Sequence, residues 1–366
     1  MSPTGKGFII SVLEPHLICA TEMPGHAAHL VKTPACVPDV IRAILAAMTN
    51  QQSITISSDT LCVTILPQGA ALVGVRFAGQ TRNLVIGFAD PADHSNVPIC
   101  AGSLVGPIAN RVQDGRGTLD GQTYQMPQNE NTNCLHSGPD GLHTRLWQIE
   151  LQTPESVTLS CALADGMNGL PGNRQILARY SVEADTLTLT ITATTDRATP
   201  MNVAAHPYWN LDGTPDVGGH RIAVNATHYL PTDPQGLPTG ERHITRGSEF
   251  DFETATPVPL TPALDVNFCL ALAPFATPTH AATLTGSDGT RLDIATTAPG
   301  LQVYAGASLP DLAVEMADCP PLKPYSGIAL EPQHWPDAPH HDHFPQITLV
   351  PGQTYAQSTH FRLTPP

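Results

Sequence analysis

Two strand-like apolar runs in this sequence end in side chains that could move protons. His206 follows residues 203–205, and Glu331 follows residues 327–330. An imidazole titrates near neutral pH, and a carboxylate removed from water has a raised pKa. Both side chains could therefore act as a general acid or a general base.

Each of these residues also has a purely structural interpretation. His206 could be a core histidine at a strand end, and Glu331 could be held in a salt bridge. The two aromatic residues after Pro207 favour a sugar site, because aromatic faces stack on the C–H surfaces of sugars. A further histidine, His136, lies in the segment Asn-Cys-Leu-His-Ser-Gly at residues 133–138. The residues alone leave both interpretations open.

Two isolated charges lie among apolar neighbours, Arg111 in residues 106–112 and Asp265 in residues 264–268. Burying a lone charge is costly, so each needs an ionic partner or a polar ligand. Sugar hydroxyls are ligands of this kind, because arginine donates hydrogen bonds and aspartate accepts them.

The segment 334–343 is rich in histidine. It contains His334, His340, His341 and His343. Their spacing matches no standard zinc pattern, and the prolines between them indicate an extended loop. We therefore expect a solvated loop without a metal ion.

Strand-like alternation dominates the chain from residue 53 onward. The clearest runs are residues 61–66, 157–163, 176–182 and 186–194. In the last run, apolar residues alternate with threonines, which is typical of a half-buried antiparallel strand. The dipeptide Asp120-Gly121 and the tripeptide Glu183-Ala184-Asp185 are each expected to form a hairpin turn. With 36 prolines and 29 glycines, this pattern predicts an all-β chain without long helices after Met48.

Residues 1–47 lack this alternation, and Met48 stands just before the first patterned strand. We expect residues 1–47 to be an N-terminal appendage, either flexible or a non-native start. Residues 48–366 are expected to form one domain, because no repeat or low-complexity linker divides them.

The composition excludes several classes of protein. The formal net charge is -15, and the basic residues form no patch, so a nucleic acid or an anionic membrane surface would be repelled. No apolar run approaches the ~20 residues that span a bilayer. The eight cysteines include no C-x-x-C pair, which indicates buried free thiols in a reducing compartment. We expect a cytoplasmic location.

Several segments, in one order along the chain, resemble motifs of the galactose mutarotase family, also called aldose 1-epimerases. The likeness covers most of residues 53–363. Its motifs are residues 106–112 with the hairpin at 119–124, and residues 133–138, 205–211, 238–241, 250–252, 265–268, 300–306, 330–333, 344–345 and 349–352. Ser137 and Ala205 stand where the family has Gly and Asn. The resemblance implies a large, mainly antiparallel β-sandwich of the galactose mutarotase-like type.

Carried over position by position, the resemblance implies that Glu331 is the general base and His206 the general acid. His136 would assist at the ring oxygen of the sugar and orient it. The residues implied to bind sugar hydroxyls are Asn110, Arg111, Asp265 and Gln302. An ionised Glu331 and a protonated His206 would help to hold each other charged.

The implied activity is that of an isomerase of carbohydrate metabolism. It would interconvert the α and β anomers of a free aldose such as galactose or glucose by ring opening and reclosure, with no cofactor and no metal. Three alternatives remain: a hexose-6-phosphate 1-epimerase, a non-catalytic carbohydrate-binding β-sandwich, and a metal-dependent enzyme built on the C-terminal histidines. We expect an aldose as substrate, no nucleic-acid or membrane partner, and a monomer or homodimer.

Overall fold

A computed structural model describes residues 53–262 and 264–366 of the chain. The expected appendage, residues 1–47, lies outside the described residues. The strands of the first half are β1 (Ile54–Ser57), β2 (Leu61–Leu66), β3 (Ala71–Phe77), β4 (Leu104–Val105), β5 (Arg111–Val112), β6 (Arg116–Leu119), β7 (Gln122–Gln125), β8 (Cys134–Leu135), β9 (Gln148–Gln152), β10 (Ser156–Leu163), β11 (Arg174–Glu183), β12 (Thr186–Thr195) and β13 (Thr199–Pro200).

The strands of the second half are β14 (Ala204–Ala205), β15 (Tyr208–Trp209), β16 (Arg221–Val224), β17 (His228–Leu230), β18 (His243–Ile244), β19 (Thr256–Pro257), β20 (Asp265–Cys269), β21 (Thr279–Thr285), β22 (Arg291–Thr296), β23 (Gly300–Tyr304), β24 (Ile328–Gln333), β25 (Thr348–Leu349) and β26 (Tyr355–Thr364). The α-helical structure in the described ranges is one turn, α1 (Asp93–Asn96). Short 3₁₀ turns cover Gln113–Gly115, Leu142–Thr144, Met167–Gly169, Val217–Gly219 and Ala338–His340. Within these ranges, no helix has the length and apolar character needed to cross a membrane.

Two large antiparallel sheets organise these strands. The larger has nine strands in the order β19-β16-β21-β22-β26-β12-β11-β10-β9, and the smaller has six in the order β15-β24-β23-β20-β17-β18. A three-stranded sheet, β1-β2-β3, and four two-stranded pairs complete the arrangement in the described part of the chain. The prediction of a mainly antiparallel β-sandwich is confirmed.

Strand β12 shows how the sequence produces this arrangement. Its side chains alternate between two faces because successive Cβ atoms of a strand point in opposite directions. The inward face carries Leu187, Leu189, Ile191 and Ala193, all buried, and the threonines lie on the other face. The predicted strand at 186–194 is therefore confirmed, with one more residue at its C-terminal end. The strands predicted at 61–66, 157–163 and 176–182 correspond to β2, β10 and β11.

The two predicted hairpins differ in how closely they match the structure. Asp120 and Gly121 form the turn between β6 and β7 with φ angles of 49° and 73°, as this type of turn requires. The second turn was predicted one residue too long. Glu183 pairs with Thr186 in the ladder of β11 and β12, so only residues 184 and 185 connect the two strands.

One hydrophobic core joins the three largest sheets. It includes Val63 of β2, Ile191 of β12 and Phe268 of β20, each fully enclosed. Tyr180 of β11 also lies in this core, and its hydroxyl donates a hydrogen bond of 2.9 Å to the carbonyl of Ala70 before β3. The nine-stranded sheet is thereby tied to the three-stranded one.

The cysteines follow the sequence expectation only in part. Those in the described residues are free thiols: Cys62, Cys100, Cys134, Cys161, Cys269 and Cys319. Cys134, Cys161 and Cys269 are buried, whereas the other three are partly exposed. Cys19 and Cys36 lie outside the described residues.

We expect Tyr180→Phe to lower the free energy of unfolding by about 1–3 kcal/mol, because the carbonyl of Ala70 is left buried without a donor. Urea unfolding with an unchanged m-value measures this loss. Tyr229→Phe is the control, since the Tyr229 side chain is only partly buried, and it should change stability by less than about 0.5 kcal/mol. Equal losses in both variants would contradict the role of this hydrogen bond.

Candidate active site

Three neighbouring strands of the six-stranded sheet place polar side chains in one row. Gln302 of β23 pairs with Asn267 of β20 on one side and with Glu331 of β24 on the other. Directly paired residues of antiparallel strands point to the same face. The alternate residues, including Val266 and Leu330, belong to the core, so the row faces away from it.

His206 reaches this row from the segment between β14 and β15. Its backbone N–H donates to the carbonyl of Ser103, and its carbonyl accepts from the N–H of Gly102, both at 3.0 Å. These bonds fix the backbone from which the imidazole projects. Nε2 of His206 lies 3.5 Å from Oε1 of Glu331, and both side chains are buried. The predicted acid–base residues are therefore in contact.

Burial controls the protonation of this pair. It raises the pKa of Glu331 well above its ordinary value; the charge of Asp265 adds to this shift, and Arg111 opposes it. Burial also lowers the pKa of His206 to about 4. Both shifts favour the uncharged forms, that is, a protonated Glu331 beside a neutral imidazole. These directions run against the expectation that the two residues hold each other charged, because desolvation is the largest influence on each pKa.

His136 lies beside His206, with ring centroids 5.4 Å apart and planes almost perpendicular. The backbone N–H of Asn110 donates to its Nδ1 at 3.1 Å. Burial, followed by the nearby His206, lowers the pKa of His136 well below its ordinary value. The ring is therefore neutral, and its proton is on Nε2, which can donate a hydrogen bond into the site.

The segment that carries Asn110 is fastened to the segment that carries His136. The hydroxyl of Ser137 accepts a hydrogen bond from the N–H of Ile108 at 2.8 Å and donates one to its carbonyl at 3.1 Å. Asn110, with φ of 63°, also accepts the N–H of Arg111 on its side-chain oxygen at 2.8 Å. These hydrogen bonds therefore fix the position of Asn110 relative to His136.

Arg111 and Asp265, predicted to need partners, have them. The guanidinium of Arg111 makes a bidentate pair with Glu130, at 2.8 and 3.0 Å. Its NH1 lies 3.7 Å from Oδ2 of Asp265. The amide of Gln302 donates to Oδ1 of Asp265 at 2.6 Å. All seven predicted site residues are thus linked through contacts or through one row of the sheet.

Two residues of this region were not predicted. Glu130 binds Arg111 but lies in a polar stretch with no sequence signal. Asn267 is buried, and within the described part of the chain neither atom of its amide has a hydrogen-bond partner. Its position in the row follows from the strand register, which only the two-residue spacing from Asp265 could have suggested.

The two aromatic residues after Pro207 lie on opposite faces of β15. The ring of Tyr208 is 4.8 Å from that of His206, as expected for a residue of the site. Trp209 is fully buried in the core against Phe361. The prediction that both aromatics serve the site is wrong for Trp209, because adjacent strand residues point in opposite directions.

The loop of C-terminal histidines is buried at residues 334–338, contrary to the prediction, whereas residues 340, 342 and 343 are exposed as predicted. Asp337 and His334 are buried, and Trp335 is fully enclosed. His340 binds Asp337 with 2.6 Å between Nδ1 and Oδ1. The prolines suggested a solvated loop, but packing of Trp335 against Phe344 draws the segment inward. Within residues 53–262 and 264–366, no cluster of three or more His, Cys, Asp or Glu side chains is arranged to hold a metal ion.

Comparison with known proteins connects this chain to one family. A family model described as "Aldose 1-epimerase" matches residues 52–362. The chain is 32% identical to galactose mutarotase of Rattus norvegicus over 323 residues, covering 84% of this chain and 92% of the relative. It is 31% identical to aldose 1-epimerase of Escherichia coli strain K12 over 353 residues, covering 91% and 99% of the two chains.

Solved structures of similar proteins have the same fold as this chain. The crystal structure of a GalM/aldose epimerase homologue from C. elegans has a TM-score of 0.79 at 30% identity, covering 86% of this chain and 98% of that one. The structure of galactose 1-epimerase from Lactobacillus acidophilus has a TM-score of 0.75 at 28% identity, covering 85% and 94%.

We expect Glu331→Gln to raise the midpoint of thermal unfolding at pH 7.5, with a gain that disappears as the pH falls toward 4. The raised pKa of Glu331 in the folded chain means that the wild type loses stability as the pH rises above the unfolded value of about 4.3. Calorimetry across this range measures the difference. Glu315→Gln, at an exposed position, should show no such gain. A Glu331→Gln variant less stable than wild type at every pH would contradict the shift.

Proposed function

Because this chain belongs to the aldose 1-epimerase family, we propose that Glu331 and His206 are the acid–base pair with which it interconverts the α and β anomers of a free aldose. The contact of 3.5 Å between Nε2 of His206 and Oε1 of Glu331 carries the proposal. Ring opening needs one group to remove the proton of the anomeric hydroxyl and another to protonate the ring oxygen.

The spacing of the pair suits these two oxygens. O1 and O5 of an aldose are both bonded to C1, so they lie closer to each other than two hydrogen-bonded atoms do. After a small displacement of the side chains, the O1–H group can therefore donate a hydrogen bond of ~2.6–3.2 Å to Oε1, and a protonated Nε2 can donate one to O5. One base and one acid then address a single C1–O5 unit.

The reaction balances without any further reactant. Glu331 takes the proton of O1, the O1–H electron pair forms the C1=O1 carbonyl, and the C1–O5 bond breaks as His206 protonates O5. Rotation about C1–C2 presents the other face of the carbonyl. The same transfers in reverse then close the ring to the opposite anomer and return both protons.

The reaction begins with Glu331 ionised and His206 protonated. The proton that the two residues share must therefore lie on His206 rather than on Glu331. The uncharged and the charged pair contain the same number of protons, so the difference is one transfer across the 3.5 Å contact. Hydrogen bonds from the anomeric hydroxyl to the carboxylate favour its ionised form. We infer that sugar binding drives this transfer, which limits catalysis to the occupied site.

The remaining predicted residues bind and orient the sugar in this proposal. Neutral His136 donates a hydrogen bond from Nε2 toward the ring oxygen of the sugar. The amide of Asn110, the guanidinium of Arg111 and the carboxylate of Asp265 offer donors and an acceptor to hydroxyl groups. Gln302 lies between Asp265 and Glu331 and serves the same role.

We propose galactose and glucose as substrates. The name of the rat relative includes galactose. A phosphorylated hexose is disfavoured, because the guanidinium of Arg111 already faces the carboxylates of Glu130 and Asp265, which would repel a phosphate dianion. A binding-only protein would not need two buried ionisable groups in contact, since their burial costs stability. A cytoplasmic location and a monomeric or homodimeric state stay predictions.

We expect Glu331→Gln and His206→Asn each to slow mutarotation by at least ~100-fold, the loss typical of removing general acid–base catalysis. Polarimetry of freshly dissolved α-galactose and α-glucose measures the rate. Glu315→Gln and His280→Asn change the same residue types at exposed positions and should keep the wild-type rate. A near-normal rate in either active-site variant would remove that residue from the mechanism.

We expect kcat/KM to follow a broad bell-shaped dependence on pH, because the pair is active with one proton and titrates as a unit. The rate should fall below about pH 4, where His206 gains a proton beside protonated Glu331. At high pH it should fall as the pair loses its proton, far above the ordinary range of a glutamate. An acid limb near pH 6.5, the value of an ordinary histidine, would contradict this assignment.

A further inference from the structure

Asp337 is a buried carboxylate that the acid–base mechanism does not use. Its side chain is 1% exposed, and it follows Glu331 in the same segment of chain. Between them, the indole N–H of Trp335 donates to the carbonyl of Pro299 at 3.0 Å, which fixes the segment beside the start of β23. Asp337 is therefore held at a defined position relative to the strand of Glu331.

From this position Asp337 holds both ends of the segment 111–113. Its backbone N–H donates to the carbonyl of Arg111 at 3.1 Å, and its Oδ1 accepts the N–H of Gln113 at 2.9 Å. The segment contains β5, the strand that carries Arg111 into the site. One residue thus joins the strand of the proposed base to the strand of a proposed sugar-binding side chain.

The charge of Asp337 is balanced mainly by His340. Nδ1 of His340 lies 2.6 Å from Oδ1 of Asp337, and Nε2 of His341 lies 3.7 Å from Oδ2. The hydrogen bond to Asp337 raises the pKa of His340 above its ordinary value, although burial opposes the shift. A buried carboxylate without such a partner would be strongly destabilising.

Other ionisable groups face this pair from each neighbouring element. On the segment around β6 they are Asp114 and Arg116, which respectively raise and lower the pKa of His340. Tyr124 of β7 has its own pKa raised by burial and by Asp337. In the loop itself, burial lowers the pKa of His341, and His343 adds to that shift.

We propose that Asp337 is a positioning residue of the reaction, which with His340 holds Arg111 at the distance from Glu331 at which both engage one sugar. The inference rests on the proposed function, because it assumes that Arg111 binds the substrate. The proposed function assigns Arg111 to a sugar hydroxyl and not to the transfer of a proton, so we expect it to contribute mainly to binding, in the ground state as in the transition state. Loosening it should raise KM and leave kcat almost unchanged.

The first experiment changes the charge of Asp337 while keeping its shape. Asparagine tolerates the positive φ of 54° at this position and keeps an acceptor for Gln113, but it cannot pair ionically with His340. We expect Asp337→Asn to raise KM for galactose about tenfold, with kcat within about twofold, because a charge-assisted hydrogen bond is lost. Asp342→Asn, an exposed residue of the same loop, is the matched control and should match the wild type.

The second experiment leaves Asp337 intact and replaces its partner His340 by glutamine, which does not titrate. Below the pKa of an unfolded histidine, protonated His340 contributes its full stabilisation, and this is lost as the pH rises through its raised folded value. The wild-type KM should therefore rise about threefold from pH 6 to pH 9 as the charge assistance disappears. In His340→Gln the KM should be raised at pH 6 and change little with pH. His343→Gln alters an exposed histidine whose hydrogen bond is to the carbonyl of Gly240 rather than to Asp337, and it should follow the wild type.

The outcomes separate this inference from the proposed function. If the wild type does not accelerate mutarotation of any aldose, the proposed function fails, and calorimetric binding of galactose to wild type and Asp337→Asn still tests the positioning role. An unchanged KM with a lowered melting temperature would overturn it, since Asp337 would then be purely structural. A loss confined to kcat, or a pH response of His340→Gln equal to that of the wild type, would overturn it as well.

Discussion

Desolvation of one carboxylate and one imidazole is the constraint on which the site depends. Glu331 and His206 are in contact and buried, and the cost of charging either group out of water is several kcal/mol. Burial shifts the pKa of each group toward its uncharged form, so the surrounding chain must hold the two groups in contact. The backbone hydrogen bonds of His206, and the pairing of β24 with β15 on one side and β23 on the other, hold the two groups in place.

The fold separates two tasks between the faces of the six-stranded sheet. Val266, Leu301 and Leu330 pack into the common core, so the burial of apolar area stabilises the strands whatever the other face carries. The opposite face can then keep a polar group such as the amide of Asn267, which has no hydrogen-bond partner among the residues that the structure describes. The electrostatic cost of the site is thereby offset by apolar packing one residue away along each strand.

Local sequence patterns correctly predicted the strands and turns that depend on neighbouring residues alone. The alternation of β12 and the turn at Asp120-Gly121 follow from strand geometry and backbone conformation. The ordered motifs indicated His206 and Glu331, but not where their shared proton rests, because that depends on burial by distant segments. The prediction of a solvated loop of histidines was wrong at residues 334–338 for the same reason. The prolines suggested exposure, and only the contacts of Trp335 and Asp337 with other segments bury this part of the loop.

The row formed by Asn267, Gln302 and Glu331 tolerates substitutions better than it tolerates insertions or deletions. A substitution in the row alters one side chain and leaves its neighbours in place. Insertion or deletion of a single codon within β23 would turn Gln302 toward the core and present a core residue to the site, because the side-chain period of a strand is two. Divergence of substrate range in such a sheet can proceed by point replacement, while length variation is confined to the connecting loops.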